Sequence, residues 1–249
     1  MVTEGHAILA VGGRPPSGRI ARCLLASAPV PPLLLAVDFD GTITARDTLQ
    51  VIVEEFGARG VWDELEPRLQ AGEITIEEAM RQQFAAVTAT TDEALAAVRR
   101  EAPIRPGFER FVSWADRAGH RLTILSAGFR TVIDAVFADA GITGLEIRSN
   151  DIAFSREGAR LVWADRGEIC EHCGRRCKRH DLALRHAPDQ HVVYVGDGIS
   201  DRCASAQADT VFARASLAEH LEREGRQHIP FEDFHDVVSY LERLQPRAA

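Results

Sequence analysis

The sequence predicts an α/β fold in which helices cover both faces of a parallel β-sheet. Three short apolar segments each end at a polar residue, as buried parallel strands often do: 33–37, 121–125 and 191–195. Helical patterns lie between them, and this alternation is typical of a Rossmann-like sheet. Ligands of such sheets bind beyond the carboxyl ends of the strands, so we expect Asp38, Ser126 and Asp197 to converge there.

A helical insertion is predicted directly after the first strand. Apolar residues recur at helical spacing on two faces, first Leu49, Ile52, Val53 and Phe56, and then Ile76, Met80, Phe84 and Val87. Thr90 and Glu93 have the spacing of a capping box that opens a third helix. We therefore predict a small helical cap at 48–103 and an α/β core made of residues 31–47 and 104–249.

The rest of the chain supplies the other elements of the core. A helix is predicted around 132–137, ending near Gly141, and a β-hairpin over 150–165 that turns at Glu157 and Gly158. Ser216 and Glu219 have capping-box spacing before a further helix. Apolar positions mark a last amphipathic helix: Phe234, Val237, Val238 and Leu241.

The composition is that of an ordinary globular protein, and it disfavours some classes of function. The 249 residues are 45% hydrophobic and 27% charged, with a net charge of −8. This acidic balance disfavours nucleic acid as a partner, and no apolar run approaches the ~20 residues of a membrane span. Residues 1–30 are predicted to be a disordered extension. Five cysteines, an odd number, favour a reducing cytoplasm over a disulfide framework.

Two carboxylates follow the first strand in the sequence DFDGTIT, which begins at Asp38. Asp38 and Asp40 lie two residues apart beside Gly41, so both side chains can enter one crevice. An ionised carboxylate can attack phosphorus without an activating base while a second acid handles protons. Asp38 is therefore the candidate nucleophile and Asp40 the candidate acid/base. The alternative is an ordinary surface turn of Asp and Gly.

Two further acids could complete a cation site. Asp197 and Asp201 lie in the sequence GDGISD after the third strand, and with Asp38 they would form the oxygen cluster that Mg²⁺ prefers. Lys178 is the single lysine among 29 basic residues. Its compact ammonium could offset charge on phosphoryl oxygens, and a solvated surface position is the alternative.

Ser126 is a second candidate for contact with a phosphate. Its hydroxyl, with the backbone amides of Ala127 and Gly128, could bind a phosphoryl oxygen. The alternative is an ordinary helix cap for a helix that starts near Gly128.

These motifs, in this order, resemble the four motifs of the haloacid dehalogenase superfamily in its phosphatase branch. The resemblance covers residues from about 33 to the end, and the insertion is similar to the small cap of the phosphoserine phosphatase-like group. It implies a phospho-aspartyl intermediate on Asp38, with Asp40 as acid/base. The implied Mg²⁺ site contains Asp38, the backbone carbonyl of Asp40 and Asp197, supported by Asp201. The implied phosphate-binding residues are Gly41, Thr42, Ser126, Ala127, Gly128 and Lys178.

Within that group the chain resembles the methionine-salvage phosphatases that act on 2-hydroxy-3-keto-5-methylthiopentenyl-1-phosphate. The similarity lies in DFDGTIT with Asp47, GDGISDRCA, VFAR and the tail at 231–238. Phosphoserine phosphatases have a glutamate at the position of Asp47, and many have serine at that of Gly41. A methylthio substrate implies an apolar cap surface. Phe56, Met80 and Phe84 are candidates for it, and packing within the cap is the alternative.

A cysteine cluster precedes the lysine. Cys170, Cys173 and Cys177 have the spacing of soft metal ligands, with His172 and His180 nearby. A structural Zn²⁺ ion is one interpretation, and reduced structural thiols are the other.

Together these observations predict a cytoplasmic, Mg²⁺-dependent phosphomonoesterase that acts on a small phosphorylated metabolite, without nucleic-acid or membrane partners. A homodimer is compatible with the sequence. The alternatives among enzymes are a phosphoserine phosphatase-like enzyme or a phosphotransferase. The alternative from another class is a non-catalytic regulatory or zinc-binding module.

Overall fold

A seven-stranded sheet organises the protein. The computed structural model describes residues 32–165 and 169–244, so the predicted extension at 1–30 lies outside the described residues. The strand order is β4-β3-β2-β1-β5-β6-β7, and every pair is parallel except the antiparallel pair β3–β4. The strands are β1 Leu34–Val37, β2 Arg121–Phe129, β3 Glu146–Ala153, β4 Arg160–Val162, β5 Val192–Gly196, β6 Thr210–Ala213 and β7 Ile229–Pro230. The predicted fold class is confirmed.

Helices cover both faces of this sheet. The helices of the core are α5 Phe108–Arg117, α6 Arg130–Asp139, α7 Lys178–Ala183, α8 Arg202–Ser205, α9 Ala215–Arg223 and α10 Phe234–Leu244. Alternate residues of β1 face opposite sides: Leu35 and Val37 join the larger core cluster, and Leu34 and Ala36 the smaller one. All four are fully buried, which is why the strand is continuously apolar.

Four helices follow β1: α1 Thr48–Phe56, α2 Val61–Gln70, α3 Ile76–Phe84 and α4 Thr91–Glu101. The capping box of Thr90 and Glu93 is confirmed at the start of α4. Helix α3 ends at Phe84, so Val87 lies beyond it. Helix α2 was not predicted, because Pro67 lies within it and it buries only Leu65 and Leu69. The described residues pack as one compact unit, and the division at 48–103 stays a prediction.

The helices predicted around 132–137 and after Ser216 are confirmed as α6 and α9, but neither is capped by the serine considered for it. Strand β2 continues through Ser126 to Phe129, with an irregular register against β3, and α6 begins at Arg130 instead of near Gly128. Ser126 is therefore not a helix cap. Helix α9 begins at Ala215, one residue before the predicted cap Ser216, whose hydroxyl lies 3.5 Å from the Asp197 carbonyl oxygen. The tertiary contact, and not a capping box, determines the position of Ser216.

The predicted hairpin and C-terminal helix are confirmed. Strands β3 and β4 pair antiparallel on either side of Glu157 and Gly158. In the last helix Phe234 packs edge-on against Phe108 of α5, with ring centroids 4.9 Å apart. None of the helices in the described ranges has the length and apolar character that crossing a membrane requires.

Candidate active site

The carboxyl ends of β1, β2 and β5 bring the predicted residues to one cleft. These three strands are neighbours and parallel, so Asp38 and Asp197, which follow β1 and β5, come to the same edge of the sheet as Ser126, which is buried within β2. A cleft of about 380 Å³ lies between this edge and helices α1–α3. Asp38, Asp40, Asp197, Ala127 and Gly128 all line it. The structure confirms that Asp38, Ser126 and Asp197 come together at one edge of the sheet.

Lys178 is the first residue of α7 and its side chain is held inside the site. Its side chain is 2% exposed, so a solvated surface position is excluded. The Nζ atom donates to Asp38 Oδ1 and, at 2.8 Å, to Asp201 Oδ1. Burial disfavours the ammonium, but Asp201 and Asp38 outweigh it and raise the lysine pKa above its usual value. The lysine is therefore a fixed positive charge beside the candidate nucleophile.

Asp38 itself is 3% exposed at the end of β1. Burial, the largest effect, and the charge of Asp201 raise the pKa of the Asp38 carboxyl to about 7, although Lys178 opposes the shift. A second positive charge beside Lys178 would favour the ionised form of this carboxylate.

Asp201 is buried and all of its acceptor sites are used. Its Oδ1 atom accepts from Lys178 Nζ and from the Tyr194 hydroxyl at 2.7 Å. Its Oδ2 atom accepts from the backbone N–H groups of Asp197 at 3.1 Å and Gly198 at 3.0 Å. Since a carboxylate offers about four lone-pair sites, Asp201 holds the lysine and the Asp197 loop in place.

Three carboxylates form an acidic group suited to a divalent cation, although Asp201 would support the site rather than bind the ion because its acceptor sites are used. Oxygen atoms of Asp38, Asp197 and Asp201 all lie within 4.8 Å of one another. Burial and the charges of Asp38 and Asp201 raise the pKa of Asp197 well above its ordinary value. Lys178 balances only one of the three charges, and hard oxygen donors are the ligands that Mg²⁺ takes. The Asp40 carboxylate is outside this group, and the ligand atom predicted for Asp40 is its backbone carbonyl oxygen.

Asp40 is held by two hydroxyl groups at the cleft. Thr48 Oγ1 donates to Asp40 Oδ1, and Ser126 Oγ donates to Asp40 Oδ2 at 3.0 Å. Ser126 Oγ in turn accepts from the backbone N–H of Gly128 at 2.8 Å. Burial raises the pKa of Asp40, although these hydroxyl groups and Lys178 oppose the shift. A raised pKa favours a protonated carboxyl that can donate to a leaving group.

At two positions of this site, a carboxylate lies so close to the backbone that only glycine fits. A Cβ atom at Gly128 would lie 2.3 Å from Asp40 Oδ2, and one at Gly41 would lie 2.4 Å from Asp197 Oδ2. Gly41 also has a φ angle of +77°, which residues with a Cβ rarely adopt. The glycines therefore let the carboxylates approach the backbone.

Gly41 and Thr42 are engaged within the loop. The Gly41 N–H donates to Thr44 Oγ1 at 3.2 Å, and the Thr42 N–H donates to the carbonyl of Phe39 at 3.3 Å. The Thr42 hydroxyl donates to Asp197 Oδ1 at 3.0 Å, so it orients that acid. The assignment of Gly41 and Thr42 to phosphate stays a prediction.

Arg105 is a positioning residue that the sequence did not reveal. It is 8% exposed, and it donates to backbone carbonyls of the loop after β1: Gly41 at 2.9 Å, Thr42 at 3.0 Å, Thr44 at 3.3 Å and Ala45 at 3.4 Å. It also donates to the carbonyl of Glu232 at 3.2 Å. Nothing in the sequence distinguishes Arg105 from the many surface arginines, because its partners are backbone atoms 60 or more residues away.

The insertion supplies an apolar wall opposite the acids. The apolar side chains that line this wall are Leu49, Trp62, Leu69, Ile76 and Met80. Met80 was a predicted candidate, whereas Trp62 and Leu69 lie on the unpredicted α2. Phe84 does not line the cleft: it is 1% exposed and packs edge-on against Phe129 with ring centroids 5.0 Å apart. Phe56 packs against the core cluster instead.

Asp47 forms the N-terminal cap of α1 at the edge of the cleft. Its Oδ1 atom accepts from the N–H groups of Leu49 at 2.8 Å and Gln50 at 3.1 Å. Burial and then the charge of Asp40 raise the pKa of Asp47 to about 8, although the two N–H groups oppose the shift. The Asp47 carboxylate is therefore engaged by the backbone of α1.

The three predicted cysteines lie together, and a fourth joins them. The sulfur atoms of Cys170, Cys173, Cys177 and Cys203 all lie within 4.8 Å of one another. Cys203 comes from α8, so sequence spacing alone could not include it. The nearby His172 and His180 do not belong to this group.

Comparison with known proteins places this arrangement in a family. The profile of haloacid dehalogenase-like hydrolases matches residues 35–206. The 2-hydroxy-3-keto-5-methylthiopentenyl-1-phosphate phosphatase of Brevibacillus brevis is 31% identical over 86% of this chain and 96% of its own. The protein of the same name from Geobacillus kaustophilus is 33% identical over 86% of this chain and 97% of its own.

Solved structures agree on the fold. A phospho-aspartyl intermediate analogue of phosphoserine phosphatase has a TM-score of 0.65 at 18% identity, and the match covers 84% of this chain and 98% of that one. A substrate-bound phosphoserine phosphatase complex has a TM-score of 0.65 at 16% identity, covering 85% and 99%. The resemblance inferred from the motifs is confirmed. This chain belongs to the haloacid dehalogenase-like hydrolases.

Proposed function

We propose that the protein is a Mg²⁺-dependent phosphomonoesterase that hydrolyses 2-hydroxy-3-keto-5-methylthiopentenyl-1-phosphate through a phospho-aspartyl intermediate on Asp38. The observation that carries this proposal is the position of Asp38 beside Lys178, with Asp40 at the same cleft. A binding module would have no need of a second acid held by two hydroxyl groups.

The residues divide the reaction between them. A carboxylate oxygen of Asp38 attacks phosphorus, and the phosphorus–oxygen ester bond breaks as Asp40 donates its proton to the leaving oxygen. Asp40 then takes a proton from the water that attacks the phosphoryl group on Asp38. This second step releases inorganic phosphate and restores both carboxyl groups. The fixed Lys178 Nζ offsets the negative charge of the phosphoryl oxygens in both steps.

The acids at the end of the sheet fit a Mg²⁺ ion. Asp38, Asp197 and the backbone carbonyl of Asp40 would hold it, and Asp201 would support Lys178 and Asp197 through the hydrogen bonds that fill its acceptor sites. When bound, the ion supplies positive charge that keeps Asp38 ionised and neutralises the phosphoryl group. Phosphatases of this family typically use Mg²⁺.

The cleft wall and the relatives support a methylthio substrate. Trp62, Leu69 and Met80 offer an apolar surface facing the acids, suited to a thioether group. The relatives with this substrate in their name match nearly their whole length. Phosphoserine fits less well, because Asp47 stands where phosphoserine phosphatases have a glutamate, and its shorter carboxylate is engaged in capping α1.

Release of inorganic phosphate tests the proposal. The wild type, Asp38→Asn and the exposed Asp116→Asn are compared, with and without Mg²⁺, on the methylthio-ketose phosphate, phosphoserine and a sugar phosphate. We expect Mg²⁺-dependent release that is greatest with the first substrate, unchanged in Asp116→Asn and lost in Asp38→Asn. Transfer of the phosphoryl group to an added alcohol in place of water would indicate a phosphotransferase. No release from any substrate would favour a regulatory module.

The location of the protein in the cell, its oligomeric state and its partners stay predictions. A cytoplasmic location, a homodimer and the lack of nucleic-acid or membrane partners follow from composition and motifs, in line with a small phosphorylated metabolite as the substrate.

A further inference from the structure

Four thiol groups meet beside the active site and take no part in the proposed reaction. Cys170, Cys173 and Cys177 lie in the segment before α7, and Cys203 lies on α8; we call them the thiol cluster. All four are free and half-buried. Their sulfur atoms lie within 4.8 Å of one another, and those of Cys170 and Cys203 are 3.7 Å apart.

This spacing fits tetrahedral coordination of a metal ion. A Zn²⁺ ion bound by four thiolates at about 2.3 Å places the sulfur atoms about 3.8 Å apart. The separation between Cys170 and Cys203 agrees with that value. The sequence spacing also fits, since two residues separate Cys170 from Cys173 and three separate Cys173 from Cys177.

The backbone before α7 folds back on itself at the cluster. Gly174 closes a turn with a φ angle of +65°, and its N–H donates to the Cys170 carbonyl at 2.8 Å. The N–H of Cys170 donates in turn to the carbonyl of Arg175 at 3.0 Å. This turn brings Cys170 and Cys173 to the same side of the segment, where Cys177 and Cys203 meet them.

The charges near the cluster also complement a bound ion. Four thiolates and one Zn²⁺ ion carry a net charge of −2. Arg175, Arg176 and Arg179 lie in or beside the same segment, and Arg179 Nη1 donates to the carbonyl of Cys203 at 3.3 Å. Carboxylates are absent from the group of four, so the donor set is the soft one that selects zinc over magnesium.

We propose that the thiol cluster binds one structural Zn²⁺ ion through Cys170, Cys173, Cys177 and Cys203. Cys177 immediately precedes Lys178, and Cys203 follows Asp201 by two residues. The ion therefore ties together the two segments that carry the Lys178–Asp201 pair. This inference rests on the thiol cluster alone and stands whether or not the proposed substrate is correct.

Metal content gives the first test. Full-length protein is purified without chelator, with Mg²⁺ in all buffers, and its zinc is measured by mass spectrometry of the elements. We expect about one zinc per chain in the wild type and at least about tenfold lower occupancy in Cys173→Ser and Cys203→Ser. His172→Ala is the matched control, because this exposed histidine lies in the same segment but outside the cluster. It should keep its zinc.

A spectroscopic measurement identifies the ligands independently of activity. Metal-free wild-type protein is titrated with Co²⁺ and then with Zn²⁺, both with Mg²⁺ in excess. We expect one equivalent of Co²⁺ to produce sulfur-to-cobalt charge-transfer bands and tetrahedral d–d bands, which Zn²⁺ then removes. If a cysteine variant fails to fold, this titration of the wild type still decides the question.

Two outcomes would overturn the zinc site as a whole, and a third would overturn its fourth ligand. One is folded wild-type protein that carries no zinc, shows no charge-transfer bands and has cluster thiols that alkylate at the same rate with and without added Zn²⁺. The other is a disulfide between Cys170 and Cys203 in freshly purified protein that binds no metal. Zinc content equal in the wild type and Cys203→Ser would contradict the assignment of the fourth ligand.

Discussion

Lys178 Nζ lies 2.8 Å from Asp201 Oδ1, and both side chains are buried at the end of the sheet. The pair places a positive charge beside Asp38 before any substrate arrives. It also links α7 to the turn after β5, because the other oxygen of Asp201 binds the backbone of Asp197 and Gly198. Asp201 thus acts through the lysine and the loop and need not touch the substrate.

Removing the negative charge of Asp201 should reduce turnover. Asp201→Asn removes the charge that holds Lys178, so we expect kcat to fall about 100-fold, as when a preorganised electrostatic contact is lost. Tyr194→Phe removes one hydrogen bond to the same carboxylate and should cost less than about tenfold. Steady-state phosphate release measures both. Full activity in Asp201→Asn would show that the pair does not position the lysine.

Arg105 should stabilise the loop after β1, which carries the candidate nucleophile Asp38. Arg105→Met removes hydrogen bonds to five backbone carbonyls, so we expect the free energy of unfolding to fall by about 2–4 kcal/mol, with reduced activity. Chemical denaturation followed by fluorescence measures the loss. Arg110→Met is the control, since Arg110 is exposed and makes a single contact of 3.4 Å with Glu242. It should change stability by less than about 0.5 kcal/mol.

The cleft wall and the packed core should respond differently to substitution. Trp62→Ala removes apolar surface from the cleft, so we expect kcat/KM for the methylthio substrate to fall about 10-fold or more, with little change for phosphoserine. Phe84→Ala should instead lower the free energy of unfolding by about 3–5 kcal/mol and leave substrate selectivity unchanged. Kinetics with both substrates and denaturation curves separate the two effects. Altered selectivity in Phe84→Ala would place that ring at the substrate.

Without Mg²⁺ the buried acids should make stability depend on pH. Burial raises the pKa of Asp38 to about 7 in the folded protein, against about 4 in the unfolded chain. The folded state therefore binds more protons between these values, and the free energy of unfolding falls as pH rises from about 4 to about 7. Asp38→Asn lacks this effect, so at pH 8 it should be more stable than the wild type.

The two proteins are compared by chemical denaturation at pH 5 and pH 8, with and without Mg²⁺. At pH 8 the wild type should have a lower free energy of unfolding than Asp38→Asn. Mg²⁺ should remove most of this difference, because the ion binds the ionised acids of the wild type. A wild type that gains stability relative to Asp38→Asn between pH 5 and pH 8 without Mg²⁺ would contradict the raised pKa.

The local pattern of apolar residues was sufficient to predict the helices and strands that bury one continuous apolar surface. The strand at β1, the hairpin and the amphipathic α10 follow from periodicity, because burial dictates their side-chain spacing. Pattern failed at α2, where Pro67 and polar residues leave only two buried leucines. It also failed at Ser126 and Ser216, whose hydroxyl groups have partners on loops that follow neighbouring strands rather than at a helix end.

The sequence by itself determined the candidates: Asp38, Ser126 and Asp197 each follow an apolar segment, Asp40 belongs to the same motif as Asp38, and Lys178 is the single lysine. Their roles in the reaction stay predictions. Only the tertiary structure decided which groups hold these residues. Arg105 lies 60 or more residues along the chain from every carbonyl that it binds, and Cys203 joins its cluster from another helix. The physical reason is that hydrogen bonds and metal coordination act over about 2–4 Å in space, at any separation in sequence. Their partners are therefore fixed by how the chain packs.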